Sequence, residues 1–145
     1  MPMQAPPQIE ATRLADYLEV MTKAVFQSGI SWRVIESKWS GFEEAFDRFD
    51  PERVAKLTPE DVDRLAQDTR IVRNRKKIEA TIDNAVELLA LEQEYGGFRN
   101  YLRAHGSYEA TVADLTKRFR FLGKTGAYFF LWSVGETVPE HGCHH

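Results

Sequence analysis

Apolar residues at Leu14, Tyr17, Leu18, Met21 and Val25 recur at steps of three and four, the stripe of an amphipathic helix. Gly29 should end that helix, and a second short one is expected to start near Ser31. Ser40-Gly41-Phe42-Glu43 has the spacing of a capping box ahead of Ala45, Phe46 and Phe49. Asp50-Pro51-Glu52 and Thr58-Pro59-Glu60-Asp61 each place a capping side chain before a proline suited to the first helical position. A long helix is expected from Ile71 to Leu91, with Ile78, Ile82, Ala85, Val86 and Leu89 on its apolar face and Gly96-Gly97 beyond its end. Phe98, Tyr101 and Leu102 suggest a further short helix, Thr111-Val112-Ala113-Asp114 a capped one, and Ala127–Val134 a buried last one. No stretch alternates with period two. The pattern predicts an all-α, compact bundle of short helices.

Composition narrows the class. With 43% hydrophobic and 12% aromatic residues among 145, the chain can form a true core. The expected organisation is a flexible N-terminal arm over 1–8, one domain over 9–136 and a tail over 137–145. No apolar run approaches the roughly 18 residues of a membrane span. The start of the chain does not read as a signal peptide, and the single cysteine, Cys143, excludes an internal disulfide framework, so a cytoplasmic protein is expected.

Charge then singles out one segment. The net charge is −3, yet Arg70, Arg73, Arg75, Lys76 and Lys77 put five cations into eight positions, with Asn74 among them. Cations at a helix start oppose the helix dipole, which favours phosphate binding over a merely solvated face. Lys117, Arg118, Arg120 and Lys124 form a second cluster that reads equally as a solvated helix face or as an extension of that footprint. Gly123-Lys124-Thr125-Gly126 is no nucleotide-binding loop, because Arg118 stands where the leading glycine belongs and no strand precedes it. Gln27-Ser28-Gly29, between Phe26 and Trp32, is a polar, glycine-bearing elbow suited to a slot for a planar ring. His141, Cys143, His144 and His145 are dense at the chain end without a second ligand cluster, so no metal and no cofactor are expected.

These segments also carry a family resemblance. Phe26-Gln27-Ser28-Gly29-Ile30-Ser31-Trp32, the Phe46…Phe49-Asp50-Pro51 run, Glu60-Asp61-Val62, and Ile71-Val72-Arg73-Asn74-Arg75-Lys76-Lys77-Ile78 resemble, in order, the bacterial DNA-3-methyladenine glycosylase I family. Phe119, Phe121, Leu122, Gly123 and Thr125 match its later segment. The resemblance implies a helix-hairpin-helix glycosylase fold. It further implies a monomeric, monofunctional enzyme that flips an alkylated purine such as 3-methyladenine out of double-stranded DNA and hydrolyses its N-glycosidic bond. By the same resemblance Trp32 would stack on the extruded base, with Gln27, Gly29 and Phe26 in the pocket-forming segment. Asp68–Lys77 would hold the DNA backbone through Arg70, Arg73, Asn74, Arg75, Lys76 and Lys77, with Lys124 extending the contact.

The chain also departs from that family. Ala24 stands eight residues before Trp32, where the family has a glutamate, so the catalytic group is unassigned; Glu19 or Glu36 on a neighbouring turn are candidates to replace it. Arg70 takes the place of a glycine usual in the hairpin. The family's N-terminal zinc ligands have no counterpart before Ile9, and Pro139 stands at its C-terminal histidine. The rival expectation is a non-catalytic helix-hairpin-helix protein that binds DNA or senses lesions.

Overall fold

Capping side chains set most of the element boundaries. The computed structural model describes residues 8–139; the expectations for the first seven residues and for His141–His145 lie outside the described residues. α1 spans Leu14–Gln27, and its apolar stripe is buried as the spacing requires. The Asp16 carboxylate accepts from the Thr12 and Arg13 amides and so closes the first turn. Gly29, at φ 81°, lets the chain turn away immediately after this helix. α2 (Trp32–Ser37) starts where the Ser31 hydroxyl accepts from the Val34 amide.

α2 runs almost directly into α3 (Trp39–Ala45). The expected cap at Ser40 therefore falls inside a helix, because the Lys38 carbonyl already accepts the first bond, from Phe42. Gly41 has a separate reason: a Cβ there would lie 2.3 Å from the Arg70 carbonyl oxygen, so only glycine lets the 66–74 connection pass this close. A short 3₁₀ turn, Asp47–Phe49, takes three successive residues through left-handed φ angles of 52°, 55° and 60°.

α4 (Pro51–Ala55) and α5 (Pro59–Leu65) begin at the two expected caps, with Asp50 accepting from Glu52 and with Thr58 and Asp61 capping each other reciprocally. α6 (Arg75–Tyr95) starts four residues later than expected, because Asn74 is extended and caps the Lys77 amide. It ends at left-handed Gly96. α7 is Phe98–Leu102. α8 is Tyr108–Arg118 and starts at a Ser107 cap, four residues before the expected cap at Thr111. α9 runs Lys124–Ser133, three residues ahead of the expected start. The all-helical expectation holds throughout the described residues, and none of these helices is long and apolar enough to cross a membrane.

α6 is the central strut, packed against α1, α4, α5 and α7, while α9 lies on α1 and α8. Trp39, Phe42, Phe46 and Phe49 stack with ring centroids 4.8–6.3 Å apart and fill one end of the core. Tyr17, Phe98, Tyr101 and Phe130 fill the other. Each such ring contributes on the order of 1.5–3 kcal/mol by burial. The consequence for function is positional: α1 ends, and α9 begins, on the same side of the bundle.

Candidate functional site

Where those two helix ends meet they enclose a cleft of about 360 Å³. One wall is Ala24, Gln27, Ser28 and Gly29 from α1 and its turn. The other is Phe121, Gly123, Lys124, Thr125, Gly126 and Phe129 from the start of α9. The crossing is close because both helices present small residues: a Cβ on Gly126 would sit 3.7 Å from the Ala24 Cβ. Among the described residues the cleft thus has an amide, two hydroxyls, one ammonium and two aromatic rings, and no carboxylate in its lining. Its size and mixed lining suit a planar heteroaromatic ring.

Two of the four residues expected to form a slot border this cleft. Gln27 and Gly29 line the cleft, as does Ala24. The aromatic pair of that expectation does not. Phe26 is fully buried, with its ring edge-on to Phe42 at 4.8 Å, because the α1 stripe turns it into the core. Trp32 is only 8% exposed and does not line the cleft. The Lys23 ammonium sits 5.7 Å from its ring centroid and 5.2 Å from that of Trp39. Glu19 completes this cluster, accepting from the Trp39 indole at 2.8 Å and lying 3.9 Å from Lys23. That carboxylate is spent on its own neighbours, and neither Glu19 nor Glu36 reaches the cleft.

The basic segment divides in the same way. Lys77 is 5% exposed, and its ammonium donates to the carbonyls of Ser28 at 2.5 Å and Phe26 at 3.3 Å. It therefore caps the C-terminal carbonyls of α1 and ties the cleft's lip to α6, instead of presenting charge to a phosphate as the sequence suggests. Burial holds its pKa below the ordinary lysine value. Arg70 donates twice to Asp68, at 3.0 and 2.7 Å, and lies 3.5 Å from Glu44. Arg75 is paired with Asp63 at 2.7 Å. The Asn74 side-chain oxygen is engaged in capping α6. Arg73 and Lys76 are exposed and make no ion pair among the described residues. In the second cluster Arg118 pairs with Asp114 and Glu87, and Arg120 with Asp83, while Lys124 is exposed at the cleft.

Comparison with known proteins gives this architecture a family. The family model described as methyladenine glycosylase matches residues 13–118. The chain belongs to the methyladenine glycosylase family. It is 32% identical to the DNA-3-methyladenine glycosylase of Haemophilus influenzae over 136 residues, 79% of this chain and 73% of that protein. It is 31% identical to DNA-3-methyladenine glycosylase 1 of Escherichia coli over 140 residues, 81% of this chain and 74% of that one. The fold superposes on 3-methyladenine DNA glycosylase I of Staphylococcus aureus with a TM-score of 0.75 at 30% identity, covering 92% of this chain and 80% of that structure. Within the methyladenine glycosylase match lie the cleft's α1 wall and the whole 66–77 segment, whereas the aromatic wall, from Phe121 to Phe129, lies beyond it.

The aromatic wall is what sequence reasoning missed. Phe121 and Phe129 carried no pocket signal of their own, since aromatics near a helix start usually pack inward.

Proposed function

We propose that this chain is a monofunctional DNA glycosylase that excises an alkylated purine from double-stranded DNA. The observation that carries this reading is the family membership, with identity near one third sustained over about four-fifths of the chain to enzymes named for that activity. An alkyl group on a ring nitrogen of the purine makes the base cationic, so it departs as a neutral molecule. Water then forms the new bond to the sugar C1′ as the bond to the base nitrogen breaks, and a proton is released to solvent. Such a leaving group needs little chemical help, and the enzyme's main work is to extrude and hold the base. The cleft between α1 and α9 is the place for that base. Arg73, Lys76 and Lys124 are the cations free to meet phosphates around it, with α5 and α6 serving as the helix-hairpin-helix. A single copy of the chain acting on cytoplasmic DNA suffices for this reading.

One observation favours a second reading, a lesion-binding protein without catalysis: among the described residues no carboxylate lines the cleft. The two are separated by measuring base release from methylated duplex DNA, alongside Ala24→Glu. The Ala24 side chain faces the cleft, so a glutamate there enters it directly and offers a cationic base an anion. Release by the unaltered protein, increased by Ala24→Glu, supports the glycosylase. Tight binding to methylated duplex with no release from either protein establishes the sensor.

A further inference from the structure

Three polar side chains of α6 are buried among the described residues: Lys77, Thr81 and Asn84. Thr81 bonds back to its own helix, its hydroxyl donating to the Lys77 carbonyl at 2.9 Å. The other two leave the helix, and each goes to a different wall of the cleft. The Lys77 ammonium holds the carbonyls of Phe26 and Ser28, which flank Gln27 in the α1 wall. Asn84 exchanges two hydrogen bonds with the Arg120 backbone: its side-chain nitrogen donates to the carbonyl at 3.2 Å, and its oxygen accepts from the amide at 2.8 Å. The Arg120 guanidinium is anchored on Asp83 of the same helix. Arg120 immediately precedes Phe121, where the opposite wall begins.

Lys77 and Asn84 are seven residues apart. That is close to two helical turns, so both project from one face of α6, roughly 10 Å apart along its axis. The carbonyls at a helix end are often satisfied by solvent. Here they are met from inside the fold, by a helix that is itself packed against α1, α4, α5 and α7. The two walls approach each other closely at Ala24 and Gly126. Away from that crossing their separation depends on what each is tied to, and both are tied to α6. Hydrogen bonds suit this task because they fix a direction and a distance, which apolar packing leaves looser.

We propose that Lys77 and Asn84 are a pair of positioning residues that hold the two walls of the cleft at a set spacing, and that this spacing limits the size of the base adduct the cleft accepts. The inference rests on the glycosylase reading and adds to it the residues that tune the site for a small alkyl group over a bulky one. Neither side chain touches the base. Each acts through backbone: Lys77 through the Phe26–Ser28 turn, Asn84 through Arg120. The helix that sets the spacing also begins directly after Arg73, so the strut that gauges the cleft continues from the segment that meets phosphates.

The test measures single-turnover base release by the full chain from two duplexes, one with a methylated purine and one with a bulkier alkyl group on the same ring nitrogen. Each variant is kept well below its unfolding midpoint. Lys77→Met and Asn84→Ala release one wall each. Either should slow release of the methylated base roughly tenfold, since a misplacement of about 1 Å can cost on the order of 10²-fold. Either should also narrow the ratio of methylated to bulkier release, which a loss of stability alone does not move. Lys77→Arg keeps a charged donor and should keep the ratio. Asn100→Ala removes the donor to the Tyr95 and Gly96 carbonyls at the far end of α6 and should leave the ratio unchanged. An unmoved ratio in Lys77→Met or Asn84→Ala overturns the inference and leaves the glycosylase reading standing. An equal shift in Asn100→Ala traces the effect to the helix as a whole and overturns it too, as does failure of both Lys77→Met and Asn84→Ala to fold. If the unaltered protein releases no base from any methylated duplex, the glycosylase reading fails and this inference fails with it.

Discussion

The two basic segments, 70–77 and 117–124, look alike as strings of charge and behave differently as surfaces. In the first, Arg70 and Arg75 are paired with acidic neighbours and Lys77 is buried under the α1 terminus, so five cations present two, Arg73 and Lys76. In the second, Arg118 and Arg120 are paired, and Lys124 stands at the cleft mouth. The segment with the higher linear density of charge is thus the one that spends a lysine on architecture. Counting cations along a chain measures what is available to fold with as well as what is available to bind with. Only the tertiary partners separate the two uses.

The largest effect should come from the buried cation. Lys77→Met removes a charged donor shared by two carbonyls at the end of α1, and hydrogen bonds involving a charged group contribute roughly 1.5–3 kcal/mol each. Chemical denaturation should show a loss of about 2–3 kcal/mol on that scale, with no change in how DNA affinity depends on salt. Unaltered stability together with a shallower salt slope would make Lys77 a phosphate contact instead of a cap on α1.

Next come the cations that remain free. Arg73→Glu with Lys76→Glu should weaken binding to any duplex irrespective of sequence, and should reduce the slope of log K against log salt by about 1.8, at roughly 0.9 per phosphate. Arg75→Ala with Arg120→Ala is the matched control, because both side chains are held by carboxylates at the surface. It should change stability by at most about 1 kcal/mol per pair, as surface ion pairs do, and leave the salt slope nearly intact. Equal losses from the two double variants would mean that the pairs with Asp63 and Asp83 open when DNA arrives.

The smallest effect concerns the turn itself. The side-chain hydrogen bonds from Arg70 hold the Asp68 carboxyl below the usual carboxylate range. A depressed folded pKa means that the unfolded chain takes up the proton first. The stabilisation is therefore complete above the ordinary aspartate value of about 4 and is lost as pH falls through the lower folded value. Asp68→Asn should flatten the acid limb of a stability profile taken between about pH 5 and pH 2. An unchanged limb would show that the Arg70 contact forms no differential bond in solution.

Much of the helical order follows from residues close together in the chain. The Asp50 and Thr58 caps, the Gly29 and Gly96 stops and the α1 stripe each act over a single turn, so they are legible one segment at a time. The boundaries that moved did so through neighbours: Ser40 lost its capping role because α2 delivers the chain to α3 already turning, and α6 waits for Asn74. Gln27 and Gly29, a polar glycine turn at the end of an apolar helix, were also legible as residues that line the candidate cleft.

What the sequence determined by itself was therefore the all-helical class, most helix starts and stops, and the polar elbow that forms one wall of the cleft. Tertiary structure alone decided which wall faces it and which charges are spent. Phe26 and Phe121 are both aromatic residues next to a helix end, yet one is sealed in the core and the other stands in the cleft. The difference lies in partners distant in sequence: Phe42 covers the first, while Asn84 and Asp83 of α6 lock the turn that exposes the second. Lys77 reaches the carbonyls of Phe26 and Ser28 across about fifty positions of chain. Periodicity and capping act over one helical turn and cannot register bonds of that reach.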